Sequence, residues 1–112
     1  MKIDFSKIDL ETIPAFKGGE KEYRVRTHLD DHNRIMKGCL VPGASIGVHS
    51  HQGTSEVIYI LSGHGHALYN GEREDLGPGD CHYCEENATH TLINSGTEDL
   101  VFIAVVPQHH LG

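Results

Sequence analysis

Three histidines and a glutamate, His49, His51, Glu56 and His90, have the side-chain types and the spacing to close around one metal ion. His49 and His51 lie two apart, so on a strand, where alternate side chains share a face, both imidazoles point the same way. Glu56 follows the polar connection Gln52-Gly53-Thr54-Ser55 and heads the apolar run Val57 to Leu61, where a carboxylate at a strand entrance can face that pair. His90 comes much later, at the start of His90-Thr91-Leu92-Ile93-Asn94, and tertiary structure must bring it across. Three imidazoles and a carboxylate form a borderline N/O donor set suited to Fe(II), Mn(II), Ni(II), Cu(II) or Zn(II), with no thiolate to select zinc or copper(I). On a six-coordinate ion four protein donors leave two positions for water, dioxygen or a bidentate substrate, whereas a structural zinc is closed by the same four. An open ion can act as a Lewis acid or lower the pKa of bound water to about 7. Loading should weaken in acid, because imidazoles of ordinary pKa near ~6.5 must shed protons to bind.

Other residues compete for chemical roles less well. His64-Gly65-His66 repeats the two-residue spacing without a matching carboxylate and reads as pocket lining or surface. Cys81-His82-Tyr83-Cys84 has a CxxC form, but residues three apart on a strand face opposite ways and no second CxxC exists, so two unrelated thiols are expected. Either Cys81 with Tyr83 or His82 with Cys84 should face the interior. Ile58 and Ile60 share the parity of Glu56 and should wall the cavity. Tyr59 and Tyr69 fit surface or interface positions, His28, His32, His109 and His110 fit solvated histidines, and Asp30-Asp31 and Glu85-Glu86 fit solvated charge pairs. The sequence contains no nucleophile elbow, phosphate loop or dinucleotide fingerprint.

The elements that must position these groups read as strands. Glycine is abundant at 13 residues, Trp is absent, and Val and Ile cluster in short runs. Residues 1–21 are charged and irregular, with a short helical turn near Ser6 to Leu10 ended by Pro14, and read as a peripheral arm; 22–112 read as the barrel domain. Glu22 to Thr27 alternates weakly, as an edge strand does. Strands follow at Arg34–Val41, Ile46–His51, Glu56–Leu61, His64–Tyr69, Glu72–Leu76, Cys81–Cys84, His90–Ile93 and Leu100–Val106, punctuated by Pro42-Gly43, Ser62-Gly63, Asn70-Gly71 and Gly77-Pro78-Gly79-Asp80. Asn70-Gly71 is a type I′ hairpin signal. Eight or nine strands at such spacing argue for antiparallel strands closing on themselves as a sandwich or barrel. The last strand is apolar on both faces, which implies double burial and points to a homodimer packed against its outer side.

A chain of 112 residues supports one core. Acidic residues outnumber basic ones 16 to 9, giving a net charge of −7, so nucleic acid and anionic membranes are disfavoured partners. The start of the chain lacks the apolar stretch of a signal peptide and no run is long enough to span a membrane, so a cytoplasmic location is expected, with Cys39, Cys81 and Cys84 as reduced thiols.

These residues also resemble a known family. Gly43, five residues, His49, one residue, His51, four residues, Glu56, six residues and Gly63 match the first cupin motif at each fixed position. In the second motif Gly79, His90 and Asn94 fall in register, while Glu85 replaces the usual proline and Asn87 the usual second glycine. Asn tolerates the left-handed backbone that glycine supplies there. The resemblance covers roughly Arg34 to Val106 and implies an all-β fold, a single conical antiparallel β-barrel of jelly-roll type. It implies, too, that His49, His51, Glu56 and His90 hold one divalent metal inside the barrel. Cupins include dioxygenases, isomerases, decarboxylases, lyases and sugar binders, so fold alone does not name a reaction. The first expectation is a metal-dependent enzyme, dioxygenase- or isomerase-like, acting on a small polar metabolite; the alternative is a non-catalytic small-molecule or sugar-binding module with a structural metal.

Overall fold

Short apolar runs separated by turn residues fold as strands along most of the chain. The computed structural model describes residues 1–109. Its strands are β1 (Glu11–Pro14), β2 (Glu22–Leu29), β3 (Asn33–Leu40), β4 (Ser45–Ser50), β5 (Glu56–Ser62), β6 (Gly65–Tyr69), β7 (Glu72–Leu76), β8 (Cys81–Cys84), β9 (Thr89–Ile93) and β10 (Leu100–Pro107). They form two antiparallel sheets, ordered β1-β2-β3-β10-β5-β8 and β4-β9-β6-β7. The expected jelly-roll barrel is thus built as two facing sheets. Among the described residues no helix is long and apolar enough to cross a membrane.

Period-two alternation decides what lies between the sheets. Tyr23 and Val25 of β2, Leu40 of β3, Ile58 and Ile60 of β5, and Leu100, Phe102 and Ala104 of β10 point inward from the larger sheet. Ile46, Ala67 and Leu92 meet them from the smaller one in the same cluster. Alternate residues of β10, Val101, Ile103 and Val105, are only half-buried, so double burial of that strand is incomplete within one chain. At the Asn70-Gly71 hairpin both central residues have positive φ, 48° and 82°, as a type I′ turn requires.

The edge of the larger sheet differs from the expectation. Glu22 to Thr27 is not an edge, because Glu11–Pro14 pairs outside it, with Ile13 opposite Tyr23. Proline is tolerated there because an outermost strand leaves one side of its backbone unpaired. The helical turn expected near Ser6 to Leu10 forms earlier, as a 3-10 turn at Phe5–Lys7 capped by Asp4, whose carboxylate accepts from the Ser6 amide. The Arg26 guanidinium donates to the Ile8 carbonyl and ties the segment down.

Candidate metal centre

Two strands of the smaller sheet and one of the larger supply three of the candidate donors, and the loop after β4 supplies the fourth. His49 lies on β4 directly opposite His90 on β9, so the register of that pair carries the distant histidine across. His51 sits just past the end of β4, and the β4–β9 register shifts between Ile46 and His49. That irregularity lies before His49: from Val48 onward burial alternates again, with Val48 and Ser50 exposed and His49 and His51 half-buried, so the two imidazoles share the inward side as their two-residue spacing predicts.

The loop bearing His51 is fastened from two sides. The Asn87 amide donates to the His51 carbonyl at 2.8 Å, and Glu86 accepts from the Gly53 amide at 2.7 Å. From the C-terminal side, the His109 amide donates to the Gly53 carbonyl and the His109 ring meets the Ser55 hydroxyl at 2.9 Å. Glu86 and His109, expected to be solvated, thus brace this loop; His110 lies outside the described residues. Asn87 has φ of 71°, the left-handed conformation anticipated for glycine's replacement.

The donor atoms converge. His90 Nε2 lies 3.1 Å from His49 Nε2, 3.1 Å from His51 Nε2 and 3.0 Å from Glu56 Oε1. His51 Nε2 is 3.1 Å and His49 Nε2 3.9 Å from the same carboxylate oxygen. All four atoms fall within 4.8 Å of one another, so the cluster could hold a metal ion. Two donors each about 2.1 Å from an ion are separated by about 3 Å at a right angle and about 4 Å when nearly opposed, so these distances suit one coordination sphere. Neutral imidazole nitrogens facing each other at 3.1 Å present lone pairs that need a proton or a cation between them.

The far side of each ring favours this presentation. His49 Nδ1 is 2.8 Å from the Gly47 carbonyl, which can only accept, so the proton sits on Nδ1 and the Nε2 lone pair is free. His51 Nδ1 is 3.2 Å from the Thr54 hydroxyl. His90 Nδ1 is 3.0 Å from Nε2 of His82, whose Nδ1 in turn lies 2.8 Å from Glu74 Oε1. Burial works to raise the Glu56 pKa, but hydrogen bonds from His49, His51 and His90 and the charge of His90 overcome it and hold the carboxyl well below its usual range. Burial pushes His90 below the ordinary imidazole value, against the pull of Glu56.

The other candidate residues separate clearly. His82 and Cys84 are buried while Cys81 and Tyr83 are exposed, which settles the parity of β8. His64 and His66 lie away from the four donors, with His66 Nδ1 bonded to the Ser95 hydroxyl at 2.9 Å. Ile58 and Ile60 are buried as expected. Cys39, Cys81 and Cys84 are free thiols. The role of His82 was one of two open alternatives in the sequence, and nothing in the polar run Glu72-Arg73-Glu74-Asp75 marked Glu74.

A cavity of about 320 Å³ opens beside His49, His51 and Glu56. Its walls are largely apolar, including Met36, Ile46 and Val106, and Lys17 and Arg34 stand at its exposed mouth. Lys17 reaches that position because the 3-10 segment Phe16–Gly18 lies directly on β4. A Cβ at Gly47 would sit 2.0 Å from the Lys17 carbonyl, so only glycine permits the approach. Lys17 itself has φ of 56°, a strained conformation for a side-chain-bearing residue. Sequence reasoning missed both cations, because neither lies near the histidine motif.

Comparison with known proteins follows the same lines. Residues 36–106 match the family model described as a cupin domain. The chain is 33% identical to an oxalate-binding protein of Thermotoga maritima over 95% of its own length and 93% of that protein's. A solved structure of a predicted oxalate decarboxylase from Thermotoga maritima superposes with a TM-score of 0.90 at 31% identity, covering 96% of this chain and 99% of that one. An RmlC-like cupin from Shewanella frigidimarina gives 0.79 at 18% identity, covering 95% and 88%, and bears on the fold alone. Motif, sheet order, donor cluster and relatives agree, and the chain belongs to the cupin family.

Proposed function

We propose that this protein binds a small dicarboxylic acid of the oxalate class through one divalent transition metal ion held by His49, His51, Glu56 and His90. The observation that carries the reading is the four-donor cluster opening onto a small cavity with Lys17 and Arg34 at its mouth. In a chain of net charge −7, two cations beside that opening favour an anionic ligand. The relatives described as oxalate-binding and as a predicted oxalate decarboxylase support the same ligand class.

When bound, the ion supplies a Lewis acid for a carboxylate of the ligand. The chain's own residues do the rest. Arg34 and Lys17 offset ligand charge at the mouth, while Met36, Ile46 and Val106 limit water within. Binding is favoured over turnover because the described lining residues offer no carboxylate or imidazole beyond the candidate donors. Burial, reinforced by the Glu56 charge, pushes the Tyr23 phenol far above its usual pKa, and its hydroxyl donates to Met36 Sδ at 3.8 Å, so it is unsuited to serve as a base. The enzymatic reading, an oxygenase or isomerase, would draw on a six-coordinate ion, on which the four protein donors would leave positions for substrate or dioxygen.

Calorimetry of metal-loaded protein with oxalate tests the proposal. Arg34→Met should keep its metal yet lose about 1 kcal/mol, roughly fivefold in affinity, as befits a solvent-facing ion pair. Equal oxalate binding by metal-free and metal-loaded protein would sink it. We further infer that the protein works as a homodimer in the cytoplasm. The apolar outer face of β5, β8 and β10 and the three free thiols support that reading.

A further inference from the structure

His82 is buried to 1% exposure and is not among the residues that line the cavity, yet it lies between the donor cluster and the half-exposed carboxylate of Glu74. It stands on β8 of the larger sheet, His90 on β9 of the smaller, and Glu74 on β7, the smaller sheet's edge. The three side chains make a continuous line, with Glu74 Oε1 2.8 Å from His82 Nδ1 and His82 Nε2 3.0 Å from His90 Nδ1. The His82 and His90 rings are near-parallel, their planes 18° apart and their centroids 5.3 Å apart.

We propose that Glu74 and His82 are positioning residues that lock His90 as the Nδ1-protonated tautomer and aim its Nε2 lone pair at the metal. This rests on the ligand reading above. An ionised carboxylate only accepts hydrogen bonds, so Glu74 requires a proton on His82 Nδ1. Neutral His82 then has a bare Nε2, which must accept, and among the described residues the donor that faces it is His90 Nδ1–H. His90 is left with an unprotonated Nε2 pointing at His49, His51 and Glu56. One acceptor at the end of the line thus sets both tautomers, as a carboxylate behind a ligating histidine does, except that a second imidazole extends its reach from the sheet edge to the core. Glu74 has a side chain 45% exposed on an edge strand, so its replacement removes little packed volume and acts on the interior through the His82 hydrogen bond.

The test is zinc affinity, measured by chelator competition on metal-stripped protein, beside long-range ¹H–¹⁵N correlation spectra of the zinc-loaded imidazoles. Wild type should bind one zinc, with His82 and His90 both protonated at Nδ1. Glu74→Ala leaves the buried His82 Nδ1 proton without its acceptor, so it should fold but melt somewhat below wild type when metal-free, and bind zinc about 10- to 100-fold more weakly. Glu74→Gln, which keeps an acceptor oxygen without the charge, should recover part of that loss. Unchanged zinc affinity in Glu74→Ala, or a His90 proton on Nε2 in the loaded wild type, overturns the relay while leaving the four ligands standing. Failure of wild type to bind zinc overturns the ligand reading and the relay with it.

Discussion

Asp30 shows how much one carboxylate organises. Its Oδ1 accepts from the His32 amide at 2.8 Å and the Asn33 amide at 2.9 Å, and its Oδ2 meets His28 Nε2 at 3.1 Å. Those backbone bonds, then the His28 contact, lower its pKa from 3.8 to about 2. A depressed folded-state value means the stabilisation is complete above the unfolded value and disappears as pH falls through the folded one. Wild type should therefore melt above Asp30→Asn by a constant margin down to the ordinary carboxylate pKa of about 4, and the margin should vanish near 2. A margin that persists at the lowest pH would show that charge at Asp30 is not the cause. Local residue type and spacing gave no hint of this turn beyond a charged pair. They said far more at the candidate site, where the gaps between His49, His51 and Glu56 are short enough to read directly. Glu74 and His82 were hidden for the opposite reason: their contact runs between strands of different sheets.

At the scale of elements, the site depends on how loops are knotted together. Asn94, buried to 1%, donates from its amide to the carbonyls of Leu40 at 2.7 Å and Glu98 at 2.8 Å and accepts from the Gly96 amide. It joins the ends of β3, β9 and β10, and so holds the strand that carries His90. Asn94→Ala strands these buried partners at about 1 to 3 kcal/mol for each one that water cannot reach. Denaturant melts should show a loss of that order, and a loss below about 0.5 kcal/mol would contradict the knot. Strands with alternating burial, such as β5 and β10, were legible because one apolar face must be inward. The outermost strand β1 was not, since among Glu11, Thr12, Ile13 and Pro14 only Ile13 is even half-buried and a pattern of one residue has no period. The segment Phe16–Gly18 was equally silent: close backbone approach to Gly47 and the single ring of Phe16 packed on Tyr23 place it, and one apolar residue makes no period.

The whole molecule has one face left to explain. Val57, Tyr59 and Leu61 of β5 and Val101, Ile103 and Val105 of β10 point outward from the larger sheet, with Tyr59 45% and Tyr83 54% exposed. A second copy related by a two-fold axis covers such a patch with itself. Sedimentation should show a dimer for wild type and a monomer for Tyr59→Glu, and a monomeric wild type would remove the idea. The jelly-roll architecture was legible from motif spacing and strand count, whereas the pairing of sheets that sets the cavity and its two cations was not, because those contacts join residues far apart in the chain. All functional proposals converge on whether the four donors bind one ion. Elemental analysis of protein purified without a tag, for wild type and His90→Ala, with circular dichroism as the check on fold, decides it most directly. The account expects close to one equivalent of transition metal per wild-type chain and its loss from a folded His90→Ala. Full metal content in that variant would contradict it.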